Sequence, residues 1–213
     1  MDDLPTEYLF HSSTFCGCRL YVDDRVLIPR PETELLVEQV HRAIGGRPVR
    51  VLDVGTGSGC ITAALAVRDP RATFFAVDIS PDALAVAGRN TAGLPQVHLV
   101  NADLTQAFKA GVFDVIVANL PYVETAWFEK ETDLHCEPRV ALDGGADGLD
   151  VIRRLLRQAG RVMTEDAILF LEIGWRQRRA IEEFVREVDC GLRYERCIKD
   201  EAGHDRIVVL DKR

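Results

Sequence analysis

Residues 51–60 read VLDVGTGSGC, an apolar run that gives way to three glycines separated by single residues. The run favours a buried strand, and the residues that follow (SGCITAALAVR, 58–68) favour a helix. Gly55, Gly57 and Gly59 then lie in the strand-to-helix turn. Open α/β sheets bind ligands outside the carboxyl ends of their strands, where glycines let the backbone approach a ligand closely. The stretch therefore predicts both an α/β sheet and a ligand site at its edge.

The alternation of strands and helices continues to the end of the chain. Further strands are predicted over 72–80, 96–103, 113–122 and 167–174, and further helices over 80–90, 147–163 and 177–188. Two late strands, 193–200 and 206–211, are too close for a helical crossover and should pair antiparallel. The pattern predicts an α/β, Rossmann-like fold, with a mostly parallel sheet and helices on both faces.

The N-terminal part of the chain predicts a lead-in followed by a helix. Residues 18–29, CRLYVDDRVLIP, alternate as a strand or hairpin does. Residues 30–46, RPETELLVEQVHRAIGG, predict a helix with Pro31 in its first turn and two glycines at its end. We therefore divide the chain into a lead-in with a short strand or hairpin over residues 1–30 and one main domain over residues 31–213.

The composition is that of an ordinary globular protein with an acidic balance. Of 213 residues, 47% are hydrophobic and 28% charged, and the formal net charge is -8. Nucleic-acid binding depends on basic residues that neutralise phosphates, so this balance argues against nucleic acid as the main substrate. No apolar run approaches the roughly 18–20 residues that span a bilayer, and the acidic N-terminus lacks the layout of a signal peptide. We expect a cytoplasmic protein that has no membrane partner.

The six cysteines are scattered along the chain and include no C-x-x-C pair. A zinc site needs ligands clustered at a suitable spacing, which these residues do not provide. We therefore expect reduced structural thiols and no metal site.

The glycine spacing separates two classes of cofactor. A nicotinamide dinucleotide fingerprint, G-x-G-x-x-G, would need its third glycine at Cys60. The spacing here is G-x-G-x-G, which is typical of the S-adenosylmethionine loop of class I methyltransferases. Asp78, at the end of the second parallel strand, can accept hydrogen bonds from ribose hydroxyls, and Asp103, at the end of the third, can flank an adenine. These features predict S-adenosylmethionine as the cofactor.

The fourth strand ends on Asn119-Leu120-Pro121-Tyr122. Pro121 favours an extended backbone at Leu120, which can turn the Leu120 carbonyl into the pocket. The Asn119 side-chain oxygen and that carbonyl then form two acceptors for the hydrogens of a planar NH2 group, and Tyr122 can cover its face. Such a site suits methylation of a weakly nucleophilic nitrogen, because it orients the nitrogen and stabilises the charge that develops there.

Five segments together resemble one family. LIPRPETELLVE, VLDVGTGSG, FDVIVANLPYV, EPRVALDGGADGLD and LFLEIG are similar to the HemK/PrmC family of protein-glutamine N5-methyltransferases. The resemblance implies methylation of the glutamine in the Gly-Gly-Gln loop of a peptide chain release factor, with S-adenosylmethionine as methyl donor. It also implies the class I methyltransferase sheet order 3-2-1-4-5-7-6 with the seventh strand antiparallel. Family members usually carry an N-terminal helical domain, and we expect this chain to lack it.

The resemblance also implies roles for particular residues. The cofactor contacts would be Gly55, Thr56, Gly57, Ser58, Gly59, Asp78, Ile79, Asp103, Leu104 and Asn119. The residues that grip the substrate amide and carry catalysis would be Asn119, Leu120, Pro121 and Tyr122. A loop that helps to close the site on the substrate side would comprise Arg30, Pro31, Glu32, Thr33 and Glu34.

Three alternatives stay open at the level of sequence. The family pattern is N-P-P-Y, and Leu120 replaces its first proline, so the same chemistry could act on a small-molecule amide or amine, or on a nucleobase amino group. A catalytically silent partner subunit that binds S-adenosylmethionine is a second alternative, and a nicotinamide oxidoreductase is a distant third. Glu172, at the end of a predicted strand, fits either an acid in the cleft or a solvated carboxylate.

Overall fold

The computed structural model describes residues 4–213 apart from the Asp133 side chain, so the first three residues of the predicted lead-in lie outside it. The helices are α1 Thr6–Leu9, α2 Thr33–Ile44, α3 Cys60–Arg68, α4 Pro81–Asn90, α5 Thr125–Lys130, α6 Arg139–Leu142, α7 Asp150–Val162 and α8 Arg178–Glu187, with a 3-10 helix at Thr132–Cys136. The strands are β1 Ser13–Phe15, β2 Cys18–Leu20, β3 Arg50–Val54, β4 Thr73–Asp78, β5 Val97–Asn101, β6 Phe113–Asn119, β7 Met163–Glu172, β8 Leu192–Lys199 and β9 Asp205–Lys212.

Strands β3 to β9 form one sheet in the order β5-β4-β3-β6-β7-β9-β8. Counted along the chain, this is the expected order 3-2-1-4-5-7-6. Strand β9 runs antiparallel to both β7 and β8, and the other neighbours are parallel. The order changes direction between β3 and β6, which is where ligands bind in such sheets. The predicted fold class is confirmed.

Alternate residues of each central strand face opposite sides of the sheet. In β3, Val51 packs with the apolar residues of α2 and α3, whereas Leu52 and Val54 pack with those of α7. Both faces are therefore buried, which explains why these strands read as continuous apolar runs rather than as alternating ones. The carboxyl ends of β3, β4 and β6 remain as the accessible edge.

The N-terminal strands lie earlier than the sequence predicts. β2 covers Cys18–Leu20 and pairs with β1 upstream, so residues 21–29 are not in a strand. After Leu20, the side chain of Asn90 bonds the backbone groups that a neighbouring strand would otherwise bond. The Asn90 amide accepts a hydrogen bond from the Tyr21 backbone N–H at 2.7 Å and donates one to the Tyr21 carbonyl at 2.8 Å.

Two further predictions need correction. Helix α2 begins at Thr33, and Pro31 lies in the i→i+3 turns before it, where the Pro31 carbonyl accepts from the Glu34 N–H at 3.0 Å. Strand β5 ends at Asn101, two residues before Asp103, because the Asp103 carbonyl accepts from the Gln106 N–H at 3.3 Å in a turn. Gly45 does end α2 in the left-handed conformation, and Ser80 caps α4 through the Ala83 N–H at 3.2 Å.

None of the helices found between residues 4 and 213 is long and apolar enough to cross a membrane.

Candidate active site

A cavity opens to solvent at the carboxyl ends of β3, β4 and β6. It gathers most of the residues singled out from the sequence: Arg30, Thr33, Gly55, Thr56, Gly57, Ser58, Asp78, Ile79, Asp103, Leu104, Asn119, Leu120 and Pro121. Five of the predicted site residues lie outside its lining: Pro31, Glu32, Glu34, Gly59 and Tyr122. Segments distant in sequence thus meet at the one edge of the sheet that the glycine loop indicates.

The three glycines of the loop serve different purposes, although all have positive φ. A Cβ on Gly55 would lie 2.8 Å from Leu120 Cδ2, and one on Gly59 would lie 3.1 Å from Ala87 in α4. A Cβ on Gly57 would meet no described atom within 4 Å. Gly55 and Gly59 therefore permit close packing inside the protein, whereas Gly57 leaves open space beside the cavity.

Asp53 supports the glycine loop from below. The side chain is 1% exposed, and Oδ2 accepts hydrogen bonds from the Thr56 and Thr62 hydroxyls at 2.7 Å each. Oδ1 has no partner among residues 4–213, and burial raises the pKa of this carboxyl to about 6. In the sequence, Asp53 is recognisable as an acidic residue inside the apolar run 51–54, but it was assigned no role there.

Asp78 connects the glycine loop to the start of α4. Its Oδ2 accepts from the Gly57 N–H and its Oδ1 from the Ser80 N–H, both at 2.9 Å. Burial raises the pKa of Asp78, while these backbone hydrogen bonds oppose the rise. Each carboxylate oxygen can accept more than one hydrogen bond, so Asp78 keeps the capacity to bind a diol at the cavity wall.

The neighbouring part of the wall is apolar and partly strained. Ile79 is 56% exposed beside the cavity, and Leu104 has φ +52°, an uncommon value for a residue with a branched side chain. Asp103 is also at the wall, where Arg154 forms an ion pair with its Oδ2. The apolar side chains of Ile79 and Leu104 can pack against the faces of a planar ring. Together with the Asp78 carboxylate and the open space beside Gly57, they fit a nucleoside-containing cofactor.

Residues 119–122 pass directly across the glycine loop. The Leu120 side chain is 4% exposed and packs into the core beneath Gly55. The Asn119 Nδ2 donates to the Thr33 hydroxyl at 3.1 Å, and its oxygen accepts no hydrogen bond from the described residues. The Leu120 carbonyl also has no donor within the described part of the chain. Two free acceptors therefore stand at the wall of the cavity.

The glycine-rich loop 144–148 packs against the backbone of the turn after Asn119. A Cβ on Gly144 would lie 2.6 Å from the Pro121 carbonyl oxygen, and one on Gly148 would lie 2.2 Å from the Tyr122 carbonyl oxygen. The Gln177 amide donates to the same Tyr122 oxygen at 2.9 Å and accepts from the Gly174 N–H at 2.9 Å. No side chain larger than hydrogen fits between these backbones, which explains Gly144 and Gly148 of the GGADG segment.

The segment before α2 is tied to the loop before α6. Arg30 forms an ion pair with Glu137, whose Oε2 also accepts from the Ile28 N–H at 3.0 Å. Glu34 points elsewhere and accepts from the Cys16 N–H at 2.7 Å. Arg30 and Thr33 are therefore the members of the predicted closing loop that reach the cavity, whereas Glu34 fastens the N-terminal hairpin.

Glu172 lies at the end of β7, directly beside Asn119 in the parallel register, and is 1% exposed. Burial raises the pKa of this carboxyl to about 7. This position answers the question that the sequence left open: Glu172 is a buried acid next to the site and not a solvated one.

Glu137 and Gln177 were assigned no role from the sequence. Each bonds a backbone group that is distant along the chain, the Ile28 N–H for Glu137 and the Tyr122 carbonyl for Gln177, and no local pattern indicates such a bond.

Among the side chains that the structure describes, there is no group of three or more His, Cys, Asp or Glu residues that could hold a metal ion. The six cysteines are all free thiols.

Comparisons with known proteins agree with this architecture. The family model described as "Methyltransferase small domain" matches residues 31–135. The release factor glutamine methyltransferase of Thermodesulfovibrio yellowstonii is 36% identical over 98% of this chain and 76% of its own length. The protein of the same name from Moorella thermoacetica is 39% identical over 98% of this chain and 75% of its own length.

Solved structures share the fold at low sequence identity. A ribosomal protein L11 methylase from Lactobacillus delbrueckii subsp. bulgaricus aligns with a TM-score of 0.66 at 20% identity, over 90% of this chain and 84% of its own. The M. jannaschii TYW2 structure aligns with a TM-score of 0.61 at 15% identity, over 95% of this chain and 86% of its own. The fold is therefore that of class I methyltransferases, and the identity to the curated relatives places this chain in the release factor glutamine methyltransferase family.

Proposed function

We propose that this protein transfers a methyl group from S-adenosylmethionine to the side-chain amide nitrogen of a glutamine, and that the glutamine lies in the Gly-Gly-Gln loop of a peptide chain release factor. The observation that carries the proposal is the pair of free acceptors, the Asn119 side-chain oxygen and the Leu120 carbonyl, at the wall of the cavity. An NH2 group has two hydrogens to donate, and this pair matches them. Membership of the release factor glutamine methyltransferase family supports the same assignment.

The cofactor would be held by residues from three successive strand ends. Gly57 offers the open face of the glycine loop, Asp78 offers a carboxylate for ribose hydroxyls, and Ile79 and Leu104 offer apolar faces for the adenine. When bound, S-adenosylmethionine supplies a methyl group on a positively charged sulfur.

An amide nitrogen is a weak nucleophile, because its lone pair is delocalised into the neighbouring carbonyl. The Asn119 oxygen and the Leu120 carbonyl would each accept one N–H of the glutamine amide, which fixes the direction of the nitrogen lone pair. The nitrogen forms a bond to the methyl carbon as the carbon–sulfur bond breaks, and positive charge develops on nitrogen. The same two acceptors stabilise this charge, and a proton then leaves the nitrogen to solvent. No strong base is required before attack.

Leu120 stands where the family pattern has a proline, and its environment accounts for the difference. The side chain is buried under Gly55, away from solvent, while the backbone supplies the acceptor. Packing against the glycine loop can hold the turn in place without the fixed φ of a proline. The replacement therefore gives no reason to choose a different acceptor.

The proposal is tested by transfer of a labelled methyl group to purified release factor. Wild-type protein is expected to label the release factor and to leave unlabelled a release factor with asparagine in place of the loop glutamine. Asn119→Ala should lower kcat by about 100-fold, since it removes one of two charge-stabilising acceptors. Equal labelling of the two release factors, or none of either, would refute the substrate assignment.

A further inference from the structure

Glu172 is a buried carboxyl group that has no role in the methyl transfer proposed above. Asn119 lies beside it in the parallel register of β6 and β7, and Ile207 lies opposite it in the antiparallel register of β7 and β9. The side chain is 1% exposed, and its Oε2 has no hydrogen-bond partner within the described residues. An isolated buried carboxylate is costly, so a position beside the substrate-binding asparagine calls for a functional explanation.

Thr33 connects Glu172 to Asn119. Its hydroxyl is 2% exposed and accepts a hydrogen bond from Asn119 Nδ2 at 3.1 Å. A hydroxyl has one proton of its own to donate, and that proton needs an acceptor. Glu172 is the neighbouring acceptor: hydrogen bonding by the Thr33 and Asn119 side chains lowers its pKa against the rise caused by burial.

The direction of these hydrogen bonds decides which end of the Asn119 amide faces the substrate. The oxygen and the NH2 group of an asparagine side chain are nearly equal in size, so packing alone does not distinguish the two orientations. An ionised Glu172 can only accept, so it takes the Thr33 proton. The Thr33 oxygen then accepts from Asn119 Nδ2, and the Asn119 oxygen is turned to the cavity.

We infer that Glu172 and Thr33 are positioning residues that keep the Asn119 oxygen facing the methyl acceptor and thereby select an NH2-bearing substrate. The inference rests on the proposed function, since it explains how one of its two acceptors is oriented. Neither residue touches the reacting nitrogen. Their effect passes through the Asn119 amide.

Protonation of Glu172 reverses this arrangement. A protonated Glu172 can donate to Thr33, and the Thr33 hydroxyl can then donate to the Asn119 oxygen. The amide turns over and presents its NH2 group to the NH2 group of the substrate, so two donors face each other. Methyl transfer is therefore expected to fall as the pH drops through about 7, the pKa that burial gives Glu172.

Other ionisable groups act on Glu172 from the neighbouring elements. Arg206 from β9 lowers the Glu172 pKa and Glu32, before α2, raises it. Tyr122, beyond β6, and Cys60, at the start of α3, each have a pKa raised to about 12, chiefly by burial, so both are neutral. Asp53, beside the glycine loop, is another carboxyl whose pKa is raised by burial, to about 6, so the limb near pH 7 is the one assigned to Glu172.

The test compares wild-type protein with Glu172→Gln, Thr33→Val and the conservative Thr33→Ser in methyl transfer to release factor from about pH 6 to pH 9. Glu172→Gln should remove the limb of the kcat profile near pH 7, because glutamine does not titrate. Thr33→Val should lower kcat by about 10- to 100-fold, and Thr33→Ser should restore it, since serine keeps the hydroxyl. Calorimetric binding of S-adenosylmethionine by each variant verifies that it is folded.

A selectivity measurement separates orientation from a merely structural effect. A release factor with glutamate in place of the target glutamine offers acceptors instead of donors, so wild-type protein should bind it poorly. In Thr33→Val the Asn119 amide is free to turn, and inhibition by this release factor should strengthen relative to the KM for the normal one.

Two results would overturn the inference: an unchanged limb near pH 7 in Glu172→Gln, or wild-type kcat and selectivity in Thr33→Val. A failure of wild-type protein to methylate release factor would instead contradict the proposed function, and the inference with it.

Discussion

Gly55 has no room for a side chain, because a Cβ there would lie 2.8 Å from Leu120 Cδ2. Its φ of +73° is also one that residues with a Cβ avoid. The glycine that begins the cofactor loop is thus required by the turn that follows Asn119. The glycine loop on the cofactor side and residues 119–122 on the substrate side are therefore packed directly against each other.

Gly55→Ala is expected to lower the free energy of unfolding by about 1–3 kcal/mol, through backbone strain and contact with Leu120. Leu120→Ala removes the contacted atoms and carries its own cavity cost. The double variant should lose less stability than the sum of the two single variants, by about 1 kcal/mol, in chemical denaturation. Strictly additive losses would show that the two residues do not press on each other.

Glu172 carries a stability cost at neutral pH that follows from its raised pKa. The folded protein holds the Glu172 proton up to about pH 7, whereas the ordinary value is 4.5. The unfolded chain therefore releases this proton first, and the stability that the protonated acid provides is lost as the pH rises from 4.5 through about 7.

Glu172→Gln is accordingly expected to raise the free energy of unfolding at about pH 8, by up to roughly 3 kcal/mol, with a smaller change near pH 5. Urea denaturation at both pH values measures the difference. The variant would then be more stable and less active than the wild type. A loss of stability at the higher pH would contradict the assignment of Glu172 as a buried acid whose pKa is raised by burial.

Among the elements, the loops over the cavity are joined by a small number of specific bonds. Glu137, 8% exposed, joins the loop before α6 to Arg30 and to the Ile28 N–H. Gln177, at the start of α8, holds the carbonyl of Tyr122. The elements that shape the substrate side are therefore fixed by long-range contacts, although each of their sequences reads as a loop.

Two variants of Glu137 should distinguish the contribution of its ion pair with Arg30 from that of its hydrogen bond with the Ile28 N–H. Glu137→Gln keeps an acceptor for the Ile28 N–H and loses the ion pair with Arg30, while Glu137→Ala loses both. We expect a loss of about 1 kcal/mol of stability for the first and about 2–3 kcal/mol for the second. Hydrogen exchange at the Ile28 amide should accelerate strongly in Glu137→Ala and little in Glu137→Gln. Equal acceleration in both would contradict the hydrogen bond.

For the whole molecule, the sheet could be predicted because its strands carry strong local signals. Apolar runs mark β3, β4, β6 and β7, and the short turn before β9 forces an antiparallel neighbour. The position of residues such as Gly57, Asp78 and Asn119 at the cavity was predictable for the same reason, since each lies at or just after a strand end, while their role towards a cofactor stays a prediction. The three short helices between Thr125 and Leu142 were not, because backbone hydrogen bonds that only the folded chain defines close this segment, such as that from the Val123 N–H to the Leu142 carbonyl.

The same limit explains the residues that sequence reasoning missed. Glu137 and Gln177 bond to backbone groups whose positions only the folded chain defines. The start of α2 was misplaced because Pro31 suits either a first turn or the turn before it. Local patterns thus determined which strand ends meet, whereas the contacts that hold the substrate side arise from the tertiary structure.

The molecule as a whole should be stabilised by its cofactor. S-adenosylmethionine at about 100 times its Kd is expected to add roughly 2.7 kcal/mol to the free energy of unfolding and to raise the Tm. Gly57→Ala fills the open face of the loop and should abolish most of this rise, with a smaller effect on the unliganded Tm than Gly55→Ala. An undiminished rise in Gly57→Ala would place the cofactor elsewhere.

The central claim, methylation of a glutamine side-chain nitrogen, is tested most directly by tandem mass spectrometry of release factor treated with this protein and S-adenosylmethionine. The account predicts one added methyl group on the side-chain amide of the loop glutamine, and about 100-fold slower formation of it when Asn119→Ala replaces the wild type. A methyl group found on any other residue, or an unmodified release factor, would contradict it.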